Sequence, residues 1–266
     1  MAGGKTSMIM PIVLAGLLGV VTPGILTASS GVQQKTFSLP AVSGYLQKDE
    51  MPNSLDILKA PPAAGSAAEA RDQEASAQSL LLRNSSRWDQ AVADARLDFP
   101  NAVQAFDCTM GIEISPSSTP KLHTMLQKTL LDFGLSTAPT KRMFQRQRPF
   151  MANEQPMCTP EYDNVLRHDG SYPSGHSAVG FGWGMLLASV APDRSSALIR
   201  RGMEFGESRM VCNVHWLSDV ENGRVMAAAV FSRLSALPKF RKDIADAGRE
   251  YRRAVAAKRL PNRTCS

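Results

Sequence analysis

From residue 67 almost to the end of the chain, apolar positions recur at helical spacing, and the two-residue alternation of a half-buried strand is almost absent. Thr119-Pro120 supplies an N-cap followed by proline at the first helical position. Leu122, Met125, Leu126, Leu130 and Phe133 then fall on one stripe. Phe240, Ile244, Ala247, Tyr251 and Val255 form a second stripe within residues 238–257, and Thr159-Pro160 repeats the cap signal. Residues 67–82, 87–97, 175–190, 194–207 and 216–234 complete the helical set. The pattern predicts an all-α, single-domain helical bundle of eight to ten helices, spanning residues 67–260, whose short loops carry the chemically special residues. Residues 31–66 mix Gly, Pro and Ser and include Pro61-Pro62, so they read as an extended N-terminal segment wrapped on the body. His123 lies among polar residues beside the first stripe and reads as a surface histidine.

The first 30 residues have a different logic. Lys5 precedes an apolar stretch over residues 8–21, and the small residues Ala28, Ser29 and Ser30 follow. A cation, a short apolar run and small residues make a secretory signal peptide. The run falls short of the roughly 20 apolar residues that a spanning helix needs, with an uncleaved anchor as the alternative. No other apolar run exceeds core-helix length, so the mature form is expected to be periplasmic or secreted, without an integral membrane span. Four cysteines, Cys108, Cys158, Cys212 and Cys265, suit an exported chain, and none forms a CxxC pair that would suggest zinc. We expect Cys158 to pair with Cys212 and Cys108 with Cys265, with the other two connectivities open.

Charge changes the picture less than its sum suggests. The 266 residues carry a net charge of +6, and residues 239–263, with nine Lys or Arg against three acids, account for all of it. Few aromatics interleave with those cations. An amphipathic helix with a solvated face explains the tail, and nucleic acid is not expected as a partner.

Three stretches converge on one task. Lys141 and Arg148 stand seven apart, close to two helical turns, and Pro149 ends the helix near Arg148. A guanidinium fork and an ammonium on one side suit an anion with several oxygens. Pro173-Ser174-Gly175-His176 precedes an apolar helix whose first N–H groups can hold an anion; Ser174 adds a hydroxyl and His176 a proton donor or acceptor. Ser208-Arg209 adds a cation, and His215 with Asp219 four residues on places a carboxylate to hold the histidine Nδ1–H, leaving Nε2 for nucleophilic chemistry. Taken singly, these are a solvated helix face, a capped turn and a structural hydrogen bond. Taken together, they ask for a phosphate-like anion, and no carboxylate set accompanies them to hold a metal.

The ordered set Lys141, Arg148, Pro149; Pro173, Ser174, Gly175, His176; Ser208, Arg209, His215, Asp219 resembles the signature of the type 2 phosphatidic acid phosphatase (PAP2) superfamily, which includes the vanadium haloperoxidases. Ile57-Leu58-Lys59-Ala60-Pro61-Pro62, Leu82-Arg83-Asn84, Arg146-Gln147-Arg148-Pro149-Phe150, Gly170-Ser171-Tyr172 and His215-Trp216-Leu217-Ser218-Asp219-Val220 narrow the likeness to the bacterial class A non-specific acid phosphatases. That resemblance covers about residues 50–255. It implies hydrolysis of phosphate monoesters at mildly acidic pH without a cofactor, with vanadate or phosphate as inhibitors. His215 would be the nucleophile, Asp219 would fix its tautomer, and a protonated His176 would serve the leaving group. Lys141, Arg148, Ser174, Gly175 and Arg209 would cradle the phosphate. It also implies that homo-oligomers are common. The alternatives are a vanadate-dependent haloperoxidase on the same scaffold and a catalytically inactive secreted binding protein. Cysteine-phosphatase spacing is absent, and Arg167-His168-Asp169-Gly170, a near miss to an Arg-His-Gly motif, reads as a loop.

Overall fold

The computed structural model describes residues 42–265; the residues read as a signal peptide lie outside them. Twelve α-helices follow one another among the described residues, and none forms a strand. They are α1 (Ser54–Ile57), α2 (Ala67–Leu80), α3 (Ser86–Asp94), α4 (Asn101–Met110), α5 (Pro120–Leu135), α6 (Ala138–Phe144), α7 (Pro149–Ala152), α8 (Asp163–Arg167), α9 (Gly175–Val190), α10 (Ser195–Val211), α11 (Leu217–Ala236) and α12 (Pro238–Ala256). The excess over the expected eight to ten comes from α1, α7 and α8, each too short to display a helical period.

Helix α9 is apolar on nearly every side and is accordingly the central element, with α5, α10, α11 and α12 packed around it. Its Trp183 is fully buried and donates to the Thr129 hydroxyl of α5 at 3.1 Å. Leu122, Met125, Leu126, Leu130 and Phe133 of α5 are all buried, as their stripe requires. The α12 stripe holds through Phe240, Ala247 and Tyr251 but closes on Ala254, while Val255 turns to solvent. His123 is buried too: it meets Phe99 edge to face with ring centroids 5.2 Å apart, which corrects its surface reading, and burial lowers its pKa.

Two boundaries matter for the site. Helix α3 stops at Asp94, three residues earlier than its pattern implies, leaving the Ala95 carbonyl outside the helix. Helix α10 continues past residue 207 to Val211, so Arg209 sits in its last turn. Between them, Arg201 of α10 pairs with the buried Asp94, which also accepts from the Ser208 hydroxyl at 2.6 Å, locking α3 against α10. The expected disulfides are both present. Cys108–Cys265 has a Cα–Cα distance of 5.5 Å and Cys158–Cys212 one of 4.7 Å, the latter tying the segment before α8 to the end of α10. No helix among the described residues is long and apolar enough to cross a membrane.

Candidate active site

The three stretches meet at one end of α9, beside a cavity of about 700 Å³. Lys141, Arg148, Gly175, His176, Arg209 and His215 line it; Ser174 lies one residue before Gly175, and Asp219 stands behind His215. An apolar wall that includes Leu97, Leu130, Leu135 and Val179 faces them.

Lys141 and Arg148 converge by a route their spacing does not suggest. Helix α6 ends at Phe144, and Gln145 takes a left-handed conformation (φ 42°), so the chain turns and Arg148 enters extended, as the residue capping α7. The Arg148 side chain is then held by backbone carbonyls: Nε donates to Leu166 at 2.9 Å and Asp169 at 3.0 Å, and Nη1 to Val214 at 2.9 Å. The Lys141 ammonium donates to the Gly170 carbonyl. Gly170 is required there, because a Cβ would stand 2.6 Å from the Lys141 carbonyl oxygen.

His215 and Asp219 do not share a helix face either. His215 precedes α11, Trp216 caps it, and Asp219 is its third residue, reaching back to accept from the Trp216 N–H at 2.8 Å. The same carboxylate oxygen takes the His215 Nδ1–H at 3.3 Å and the Ser171 hydroxyl proton. Arg148 Nη1 donates to His215 Nε2 at 3.1 Å. With Nδ1 facing a carboxylate and Nε2 accepting from a guanidinium, the ring is the neutral Nδ1–H tautomer. Ser174 caps α9, its hydroxyl oxygen accepting from Ser177 N–H at 3.2 Å. His176 Nε2 donates to the Ala95 carbonyl at 3.1 Å, so the proton that separates its neutral and charged forms sits on Nδ1.

The site is short of negative charge. Lys141, Arg148 and Arg209 are all buried, and Nε and Nη1 of Arg209 have no hydrogen-bond partner among the described residues. Burial, and then repulsion from Arg148, pulls Lys141 down to about 8 and Arg209 down to about 9. Burial also lowers both histidines well below the ordinary range, reinforced chiefly by Arg148 at His215 and by Arg209 at His176. Burial and Arg209 thus favour the neutral form of His176, whereas the role implied by the resemblance asks for a protonated one. No group of three or more His, Cys, Asp or Glu that could hold a metal occurs among the described residues.

Four partners were not legible as site residues. Asp169, in the loop after α8, bridges Lys141 Nζ and Arg148 Nη2, each 3.0 Å from its Oδ2. Arg146 donates to Asp219 Oδ1 at 2.6 Å and to Asp72 at 2.7 Å, and Asp72 accepts from Ser218 N–H at 2.7 Å. Ser171 completes the cage around Asp219. Arg146 and Ser171 belonged to recognised stretches without a role; Asp72 sat in a polar, Ala-rich helix with nothing to mark it.

This all-helical bundle, with histidines and buried cations gathered at the start of one central helix, defines a phosphate-handling class, and the PAP2 superfamily model matches residues 124–243. The chain belongs to the PAP2 superfamily. Within it, the chain is 39% identical over 213 residues to a non-specific acid phosphatase of Salmonella typhimurium, covering 79% of this chain and 85% of that protein. It is 34% identical to a non-specific acid phosphatase of Providencia stuartii, over 78% of this chain and 84% of that protein. It is 31% identical to an acid phosphatase of Zymomonas mobilis, over 91% of both.

Proposed function

We propose that this acid phosphatase hydrolyses phosphate monoesters through a phosphohistidine on His215, without a metal ion. The observation that carries the reading is the cluster of three buried cations, one with orphaned donors, around a neutral histidine whose Nδ1–H is held by a carboxylate. Lys141, Arg148 and Arg209 supply the charge stabilisation that phosphoryl transfer needs, the Gly175 N–H at the start of α9 adds a donor, and the Ser174 hydroxyl still has its own proton to give.

In the first step Arg148 shifts its hydrogen bond from Nε2 to a phosphate oxygen, Nε2 attacks phosphorus, and the P–O bond to the alcohol breaks. His176 passes a proton to that departing oxygen. Because burial and Arg209 lower the His176 pKa, the proton enters with a monoanionic ester or is gained once the anion offsets Arg209. In the second step His176 takes a proton from water, which attacks phosphorus and releases phosphate from His215. Asp219 holds Nδ1–H throughout, stabilising the positively charged ring of the intermediate. The apolar wall accepts the leaving group. The signal-peptide pattern and two disulfides support export to the periplasm or beyond.

Two measurements test the mechanism together. His215→Ala is expected to lower kcat at least about 10⁴-fold, as loss of a covalent nucleophile does. Activity of the wild type on a chromogenic ester should survive a chelator and stop with vanadate. Loss of activity on chelation, or near-normal turnover by His215→Ala, would overturn it. Bromide oxidation with vanadate and peroxide, run alongside, checks the haloperoxidase alternative.

A further inference from the structure

Asp169 places a carboxylate where the phosphate reading places oxygens. Its Oδ2 lies 3.0 Å from Lys141 Nζ and 3.0 Å from Arg148 Nη2, bridging two of the three cradle cations. An anion between two cations is usually read as scaffolding that orients them, but Arg148 is already oriented without it. Its Nε and Nη1 are fixed by the carbonyls of Leu166, Asp169 and Val214, and the Lys141 ammonium by the carbonyl of Gly170. These contacts belong to backbone and survive any change of the Asp169 side chain. The loop is also pinned, through Ser171 N–H on the Arg146 carbonyl at 2.8 Å. Yet the Asp169 side chain is 48% exposed, in contrast to the buried cations it touches. A half-solvated carboxylate on a fixed backbone can turn to water about its own side-chain torsions, with no movement of the loop.

We infer that Asp169 is an internal competitor for the phosphate site: its carboxylate pairs with Lys141 and Arg148, is displaced by the arriving phosphoryl group, and returns to hasten departure of the phosphate product. The inference rests on the cradle assignment above. Displaced but tethered, the carboxylate remains a like charge beside the bound anion, and a like charge at such range weakens the charged form's hold. The carboxylate weakens ester and product alike, but the ester keeps a further hold on the apolar wall through its leaving group, so the product phosphate is left the more weakly held.

The test uses inorganic phosphate as probe, with its Kd measured by calorimetry and its Ki from competitive inhibition. Asp169→Asn keeps the shape and removes the charge. Phosphate is expected to bind about tenfold more tightly, with kcat no higher than in the wild type, since product leaves more slowly. Should the Asn variant not fold, Asp169→Ser removes the same charge. Unchanged or weaker phosphate binding by a folded variant would overturn the inference and return Asp169 to scaffolding. Arg209→Lys separates this from failure of the cradle itself. If it leaves phosphate affinity untouched, the cradle assignment falls. If it weakens phosphate while the Asp169 variants do not tighten it, only the competitor role falls.

Discussion

At the scale of single residues, the site is a set of groups whose titration is shifted by burial and by one another. His176, His215 and His123 are all lowered by burial, the first two also by the cations around them. The consequence for stability has a definite sign. An unfolded histidine titrates near 6.5, so just below that pH the unfolded chain binds protons that the folded one refuses, and stability falls as pH drops through this range. In phosphate-free buffer these three histidines should make the melting temperature decline between pH 6.5 and 5, against the opposite contribution of Asp107, which burial raises to about 6. With saturating vanadate the decline should be shallower, because the bound anion raises the two site histidines. Melting curves of equal slope in both buffers would contradict this. The residues proposed to bear the chemistry could be singled out as candidates, since His215, His176 and the three cations each stand in a typed motif. Their protonation was not, because it is set by Ala95, Arg148 and Arg209 across the fold and leaves no mark in local sequence. Asp169 shows the same limit from the other side: its place in a loop could be read, and its ion pairs with two motif cations could not.

At the scale of elements, the crossing of α9 on α10 decides where the site lies. The two helices are joined through a short turn at Pro192–Arg194 and run antiparallel, which brings His176 at the start of one beside Arg209 at the end of the other. They approach closely because glycines line the contact. A Cβ on Gly202 would stand 2.5 Å from the Gly180 carbonyl oxygen, and one on Gly180 would stand 2.7 Å from Phe205. Alanine normally improves a helix interior by about 1 kcal/mol over glycine. Here the clash is with backbone, which cannot rotate away, and overpacking costs typically about 1–3 kcal/mol. Gly202→Ala is therefore expected to lower the melting temperature by several degrees. Gly134→Ala, whose Cβ would meet only Val179 at 3.8 Å, should not. Equal behaviour of the two variants would refute the close-approach argument. Helices α5, α9 and α12 were legible because each carries a long stripe or run. Helix α4 was not, since it falls in a stretch without a clear signal, and the convergence of Lys141 with Arg148 relies on a left-handed Gln145, where a continuing helix was the natural expectation.

At the scale of the molecule, the net charge of +6 proves to be an uninformative sum. In the tail Lys239 pairs with Asp243, and Lys242 and Arg249 meet on Asp246, which Lys242 and Lys121 hold down to about 2. Glu250 accepts from the first free N–H groups of α5, Lys121 at 3.3 Å and Leu122 at 2.9 Å. The tail thus fastens α12 to α5, while the three cations of the site are buried far along the chain from it. A last consequence comes from the cage around Asp219, whose members Asp72, Arg146 and Ser171 come from three widely separated segments. Local helices form quickly, whereas contacts that close long loops form late. The proposed catalytic site should then be among the last parts of the chain to become operational after dilution from denaturant with the disulfides intact. Ellipticity at 222 nm is expected to recover before turnover of a chromogenic ester does. If the two recover together, the cage assembles with the helices that bear it.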